Sequence, residues 1–118
     1  MAIQRLHTDR RMSQVVIHRD TIYLSGQVAE NLEAGVEQQT SETLQEVEKL
    51  LAEAGSDKEH ILSVTIYLKD IERDFAGMNA VWDRWLPEGV APARATVEAG
   101  MCEHDILVEM SVTAVKRE

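Results

Sequence analysis

The sequence has little cysteine, little proline and few aromatic residues. Among its 118 residues there is one cysteine, Cys102, and there are two prolines. A single cysteine excludes an intramolecular disulfide and any zinc site built from several cysteines. No apolar run approaches the roughly 18 residues of a membrane-spanning helix, and no apolar segment of a signal peptide follows Met1. We therefore expect a soluble, cytoplasmic protein without a membrane partner.

Positive charge is also scarce. Lysine and arginine total 12 against 21 aspartate and glutamate residues, which gives a net charge of −9. Non-specific nucleic-acid binding requires a basic surface that neutralises phosphates. The densest basic pairs, Arg10-Arg11 and Lys116-Arg117, lie near the two ends of the chain. We expect no nucleic-acid partner, whereas one well-placed arginine would still allow an anionic small molecule to bind.

The length and the hydrophobic content of 44% predict one globular domain over residues 1–118. Val15–His18 and Thr21–Ser25 have the composition of a β-hairpin that turns at Arg19-Asp20. From Val36 to Ala54, apolar residues recur at three- and four-residue steps, which predicts an amphipathic helix that ends at Gly55.

The second half of the chain predicts a strand, a helix and two further strands. Residues 62–68 alternate with period two, and Asp74 is expected to cap the next helix. The expected apolar stripe of that helix, which we assign to the core, contains Phe75, Met78, Trp82 and Trp85. Strands are then predicted at about 94–99 and 106–115. The order ββαβαββ indicates an α/β fold.

Right-handed crossovers would place both helices on one side of a single sheet. The more apolar set on each strand should face the helices: Ile22, Leu24, Leu62, Val64, Ile66, Leu68, Ala95, Val97, Ala99, Val108, Met110 and Val112. The other set should form the opposite face: Tyr23, Ser25, Thr65, Tyr67, Arg94, Thr96, Glu98, Leu107, Glu109, Ser111 and Thr113. Because two helices cannot cover both sides, we expect this mixed second face to pack against another copy of the chain.

The second face contains the candidate site. Arg94 and Thr96 are two residues apart on one strand, so they point the same way, and Glu109 and Ser25 are predicted to share their face. An arginine can hold a carboxylate through two parallel hydrogen bonds, and a nearby glutamate can hold a water or move a proton. The same two residues could instead form a structural ion pair.

Four segments resemble the signatures of the Rid family, also called YjgF/YER057c/UK114 and formerly labelled L-PSP endoribonuclease. They are Ser25-Gly26-Gln27, Phe75-Ala76-Gly77-Met78-Asn79, Ala91-Pro92-Ala93-Arg94-Ala95-Thr96-Val97-Glu98 and Leu107-Val108-Glu109-Met110. The proline-x-arginine-x-x-valine-glutamate run is the most specific of them. The resemblance extends from about Met12 to Val115.

The resemblance implies a chorismate-mutase-like fold with one mixed sheet and two helices on one face. It also implies homotrimers in which the sheets line a central barrel and the active sites are clefts between subunits. The best-known members hydrolyse reactive enamines and imines, such as 2-aminoacrylate, to 2-keto acids and ammonia. They require no metal and no other cofactor.

By position, the resemblance makes Arg94 the residue that binds the substrate carboxylate and Glu109 the acid that positions or activates the hydrolytic water. Thr96 stands where many members have cysteine, and its backbone would contact the substrate nitrogen. Ser25 would be the small polar residue that lines the cleft, and Asn79 would have a structural role on its helix.

The sequence departs from the family pattern in ways that leave the substrate open. Met12 stands in place of a family tyrosine, and residues 101–104 replace the familiar Leu-Pro-Lys segment. A second hypothesis is therefore a non-catalytic or regulatory trimer that binds a small carboxylate such as a 2-keto acid. The acidic charge argues against a ribonuclease.

Other chemistry-bearing residues give weaker hypotheses. Cys102 and His104 could act as nucleophile and base, or could bind a metal together with Glu103, but three neighbours on one turn rarely meet those geometries. The scattered His7, His18 and His60 are interpreted as surface or core histidines.

Overall fold

The alternating segments of the chain assemble into one six-stranded mixed sheet with two helices on one face. The computed structural model describes residues 2–118. Its strands are β1 (Ile3–Thr8), β2 (Ser13–His18), β3 (Thr21–Leu24), β4 (Ile61–Leu68), β5 (Ala93–Glu98) and β6 (Val108–Val115). Its helices are α1 (Val36–Glu53) and α2 (Ile71–Trp85), and a short 3-10 helix spans Lys58–His60. The strands lie in the order β1-β2-β3-β6-β4-β5, and only the β4–β5 pair is parallel.

The expected crossover connections are confirmed. Helix α2 joins the parallel neighbours β4 and β5, and α1 joins β3 to β4 across the intervening strand β6. Both helices pack on the same face and against each other. The core between them and the sheet includes Ile22, Leu44, Val47, Leu51, Val64, Ile66, Met78, Trp82, Val108 and Met110. Neither helix in residues 2–118 combines the length and the apolar composition needed to cross a membrane.

Strand β1 was not predicted from the sequence. It pairs with β2 at the edge of the sheet, from Ile3↔His18 to Thr8↔Ser13. Five of its six residues are exposed, and the sixth, Leu6, is only partly buried. The strand therefore forms by backbone pairing to an existing edge and not by burial, so its sequence has no apolar alternation that would reveal it.

The predicted facing of β5 is wrong. The register pairs Val64 with Arg94 and Ile66 with Thr96, and cross-strand partners point to the same side of a sheet. Because Val64 and Ile66 are buried under the helices, Arg94 and Thr96 also point to the helix side. The apolar residues Ala95 and Val97 lie instead on the face of the sheet that points away from the helices, which we call the open face. Val97 is 40% exposed there. Small apolar residues on an edge strand need not be buried in the core. The apolar alternation of β5 therefore predicted the wrong face.

Two predictions at the ends of elements also fail. Leu62 was expected to face the helices but is 50% exposed, because a register shift between Ile61 and Ser63 interrupts the alternation. Asp70, not Asp74, caps α2, and its carboxylate accepts a hydrogen bond from the Arg73 backbone N–H at 3.1 Å.

The side chain of Asp74 is instead buried in the first turn of α2. It accepts two hydrogen bonds from the Arg73 guanidinium, at 3.0 Å and 2.8 Å. This contact raises the pKa of Arg73. The predicted apolar stripe holds for Met78 and Trp82 but not for Phe75, which is exposed.

Gln39 of α1 is a buried polar residue that joins three parts of the fold. Its side-chain N–H groups donate to the carbonyls of Leu32, Ala34 and Asp105, and its oxygen accepts from the Leu107 N–H at 3.0 Å. The side chain is fully buried, and every contact is to the backbone. Gln39 therefore fixes the segment that enters β6 against the loop that precedes α1.

Replacing Gln39 with leucine should destabilise the protein strongly. Gln39→Leu keeps most of the volume but leaves buried backbone groups without partners, so we expect a loss of about 2–4 kcal/mol in the free energy of unfolding. Equilibrium denaturation measures this loss. Gln45→Leu, at an exposed position of the same helix, is the control. Equal stability of the two variants would contradict the assigned role.

Candidate functional site

Arg94 is held on the helix side of β5 by two residues of α2. Its Nη1 donates to Asn79 Oδ1 at 2.8 Å, and its guanidinium carbon lies 5.3 Å from the centre of the Trp82 ring. A guanidinium over an indole face gains cation–π attraction as well as packing. Asn79, for which the family resemblance implies a structural role on its helix, thus orients the candidate carboxylate-binding side chain. The Asn79–Trp82 spacing of one helical turn is the sequence signal for this support.

Arg94 and Glu109 do not meet within one chain. Glu109 pairs with Tyr67 across β4 and β6, on the open face, whereas Arg94 points to the helix side. Within residues 2–118, Arg94 forms no salt bridge with any carboxylate. The alternative of an Arg94–Glu109 ion pair inside the chain is therefore wrong, and so is the expectation that they share a face.

Glu109 lies in a cleft of about 280 Å³ on the open face. The cleft is lined by Gly26, Tyr67, Ala99, Gly100, Met101, Glu109 and Ser111. Its floor is the sheet, and one wall is the segment that follows β5. Glu109 is partly exposed and lines the cleft, which water and a small ligand can enter.

The segment Ser25-Gly26-Gln27 is attached directly beside Glu109. The backbone of Gln27 pairs with Met110 in both directions, at 2.8 Å and 3.0 Å. A Cβ atom at Gly26 would come within 2.1 Å of Glu109 Oε2. Glycine at this position is what allows the carboxylate to lie against the backbone, which explains its place in the Ser-Gly-Gln motif.

The hydroxyl of Ser25 takes part in a polar network next to the cleft. It donates to Gln14 Oε1 at 2.7 Å, and Gln27 Nε2 donates to the same oxygen at 2.9 Å and to Ser25 Oγ at 3.0 Å. The network ties β2 to the segment that carries Gly26. Ser25 supports the wall of the cleft and is not among the residues that line it. Gln14 and Gln27 were not singled out from the sequence.

Thr96 lies two residues from Arg94 on the same side of β5. Its hydroxyl oxygen is buried and has no hydrogen-bond partner within residues 2–118. The sequence placed Thr96 beside Arg94, and that proximity is confirmed, although both lie on the helix side.

The remaining candidates lie outside these groups. Met12 and Cys102 are exposed and do not line the Glu109 cleft. His104 is exposed, and its ring lies 3.2 Å from Asp105. In the part of the chain that the structure describes, no three His, Cys, Asp or Glu side chains are grouped as metal ligands.

A second groove, of about 780 Å³, lies along α1. The ionisable residues that line it are His7, Glu30, Glu42, Glu46, Lys49 and Glu53. Four of these six are glutamates, and hydrogen bonds from the Asn31 backbone and from Gln38 lower the pKa of Glu42, which keeps it ionised. Such a lining repels a carboxylate ligand, so the groove does not fit a 2-keto acid or an amino-acid-derived imine.

Known proteins with similar sequences cover nearly the whole chain. The family profile described as Endoribonuclease L-PSP matches residues 2–116. The RutC family protein YoaB of Escherichia coli K12 is 44% identical over 114 residues, which cover 97% of this chain and 98% of that protein. A RutC family protein of Haemophilus influenzae is 41% identical over 115 residues, which cover 97% of this chain and 98% of that protein.

Solved structures agree with these matches. A member of the YjgF protein family from Neisseria meningitidis has a TM-score of 0.95 at 45% identity and covers 100% of this chain and 98% of its own. An uncharacterised protein from Pseudomonas aeruginosa also has a TM-score of 0.95, at 39% identity, and the match covers 98% of this chain and 100% of that chain. The mixed sheet with two helices on one face is thus the fold of these proteins.

Substituting Gly26 should move the Glu109 carboxylate without unfolding the protein. In Gly26→Ala, the flexible end of Glu109 must retreat by more than about 1 Å to reach ordinary van der Waals distance. A crystal structure of the variant would show this shift, and the free energy of unfolding should change by less than about 1 kcal/mol. Gly100→Ala is the control, because a Cβ there meets open space in the same cleft. An unmoved carboxylate in Gly26→Ala would contradict the assigned contact.

Proposed function

The chain belongs to the YjgF/RutC family of the Endoribonuclease L-PSP profile, and on this basis we propose that it hydrolyses reactive enamine and imine intermediates to 2-keto acids and ammonia. The substrates would be small carboxylates of the 2-aminoacrylate type. Arg94 would bind the carboxylate, and Glu109 would act on the water. No metal or other cofactor takes part in the proposed reaction.

The proposal rests mainly on the burial, orientation and partners of the Arg94 side chain. The side chain is half-buried, and Asn79 and Trp82 fix its orientation. Only its Nη1 donates to another side chain within residues 2–118, and no carboxylate neutralises its charge there. A preoriented guanidinium with donors to spare is suited to a planar carboxylate, which it binds through two parallel hydrogen bonds.

The opposite facing of Arg94 and Glu109 supports a site shared between subunits. One chain cannot present both groups to one small ligand, because the sheet lies between them. Arg94 lies on the edge strand β5, where a neighbouring copy could approach. We therefore propose that Arg94 of one subunit and Glu109 of the next act on the same substrate, in a homotrimer of the kind the family resemblance implies.

The proposed reaction proceeds from the protonated imine (iminium) form of the substrate. The water oxygen forms a bond to the C=N carbon, the electron pair of the C=N bond moves to nitrogen, and Glu109 accepts the proton that the water loses. Glu109 then returns a proton to the nitrogen of the resulting carbinolamine. The C–N bond breaks as the hydroxyl becomes the ketone and passes its proton to Glu109, and ammonia and a 2-keto acid leave; Glu109 then releases the proton to solvent.

The second hypothesis, a trimer that binds 2-keto acids without turnover, is favoured by one feature. The Arg94 support is complete within a single chain, and Glu109 is not needed to form it. The two hypotheses differ in turnover, which the assay below measures directly. The net charge of −9 continues to argue against a ribonuclease, because RNA binding needs a basic surface.

Removing the Arg94 guanidinium should abolish efficient turnover. Loss of a bidentate, charge-assisted contact costs on the order of 2–4 kcal/mol, so Arg94→Ala should lower kcat/KM about 30- to 1,000-fold. Arg94→Lys should not restore activity, because an ammonium lacks the planar fork. The assay follows 2-keto acid formation from imines generated in place by an amino-acid oxidase or dehydratase.

The control for Arg94→Ala is Arg84→Ala, because Arg84 is exposed on the same helix side and lies 4.0 Å from Glu37. Both variants need an unchanged oligomeric state and thermal midpoint for the comparison to hold. Undiminished hydrolysis by a folded Arg94→Ala protein would refute the site. Wild-type protein that binds 2-keto acids through Arg94 but hydrolyses no imine would support the binding hypothesis.

The open face of the sheet predicts self-association. Tyr23 and Val97 are 49% and 40% exposed on this face, and nothing within residues 2–118 covers them. Light scattering at micromolar concentration should give three times the mass of one chain, 13.3 kDa. Replacing Val97 with aspartate should weaken the assembly, because it buries a charge in the expected interface. A monomeric wild-type protein would contradict the shared site.

A further inference from the structure

A second functional group borders the Glu109 cleft. Tyr67 of β4 pairs in register with Glu109 of β6, so both side chains rise from the open face at the same level of the sheet. Both line the cleft of about 280 Å³. The two residues are therefore neighbours by strand register and share one accessible space.

The position of the Glu109 carboxylate leaves the cleft open between the side chains of Glu109 and Tyr67. Its Oε2 lies against Gly26, which is on the β3 side of β6, whereas Tyr67 is on β4 at the other side. The cleft consequently has a carboxylate on one wall and an aromatic ring with a hydroxyl on the other.

The Tyr67 hydroxyl has no assigned structural partner. No hydrogen bond to it is formed within residues 2–118, and the side chain is only partly buried. If Tyr67 served only to pack beside Val97, its neighbour on β5, a phenylalanine would serve equally well. The hydroxyl is thus free to act on molecules that enter the cleft.

We propose that Tyr67 and Glu109 together hold the hydrolytic water, so that Tyr67 is a catalytic residue of the proposed imine hydrolysis. This inference rests on the proposed function and deepens it. The water donates one O–H to the Glu109 carboxylate and the other to the Tyr67 oxygen. With both O–H bonds committed, a lone pair of the water oxygen is left for the C=N carbon. Glu109 takes the proton as the C–O bond forms, and the phenol keeps its own proton.

Fixing the water in this way accelerates the chemical step more than it aids substrate binding. The carboxylate of the substrate is bound by Arg94, so loss of the Tyr67 hydroxyl should leave substrate affinity nearly intact. We expect kcat for Tyr67→Phe to fall about 10- to 100-fold, with KM and the affinity for a 2-keto acid unchanged within about twofold. A purely structural tyrosine would not separate kcat from KM in this manner.

The chain offers a matched control. Tyr23, the other of its two tyrosines, is exposed on the same open face but lies on β3 opposite Thr113 and does not line the cleft. Tyr23→Phe should retain full kcat. Ser111→Ala tests the other hydroxyl of the cleft, which stands two residues from Glu109 on the same face and is much shorter.

The experiment compares wild type, Glu109→Gln, Tyr67→Phe, Tyr23→Phe and Ser111→Ala in the full chain. Initial rates of 2-keto acid formation are measured at several concentrations of an imine generated by an amino-acid oxidase, and pyruvate affinity and thermal midpoints are measured alongside. A selective fall in kcat for Tyr67→Phe, beside the expected loss in Glu109→Gln, supports the inference.

Four results overturn it. The inference fails alone if turnover depends on Glu109 while Tyr67→Phe retains wild-type kcat, or if Tyr67→Phe changes only KM, which would make Tyr67 a wall of the cleft. It also fails if Ser111→Ala shows the kcat defect and Tyr67→Phe does not. If wild type hydrolyses no imine, the proposed function fails, and this inference fails with it.

Discussion

The register of β6 is the constraint on which the rest of the molecule depends. This strand lies in the interior of the sheet, pairs with β3 and β4, and lies under α1. Its even-numbered residues Val108, Met110 and Val112 are buried, and the odd-numbered Glu109 lies between two of them on the open face. A slip of one residue would turn Glu109 into the core.

Several independent contacts hold that register. Gln39 binds the backbone of Asp105 and Leu107 just before the strand begins, and Gln27 pairs with Met110 from the other side. All of these contacts lie within four residues of Glu109. The same interactions that order the core therefore also place the candidate catalytic carboxylate, so a substitution that breaks them should disturb both the fold and the site.

The sequence predicted the buried parts of the fold well because burial leaves a periodic signal. The β2–β3 hairpin, α1 with its end at Gly55, and the alternation of β6 all follow from apolar spacing, and the structure confirms them. The left-handed backbone at Arg19, with φ of 57°, shows that this hairpin turn needs no glycine.

The failures lie where burial is not the driving force. Strand β1 forms by pairing at an exposed edge, and the facing of β5 depends on the contacts of Arg94 with Asn79 and Trp82 and not on apolar alternation. For the candidate site, sequence identified Arg94 and Glu109 as residues but placed them on one face. Only the strand register, which sequence does not contain, separates them.

The acidic groove along α1 has a kinetic consequence for an anionic ligand. Glu30, Glu42, Glu46 and Glu53 line one side of a chain whose net charge is already −9, so its field repels a carboxylate before contact. At physiological ionic strength the screening distance is about 8 Å, so Arg94 attracts an anion only over a short distance. Encounter with an anionic ligand should consequently be slower in dilute buffer and faster in added salt.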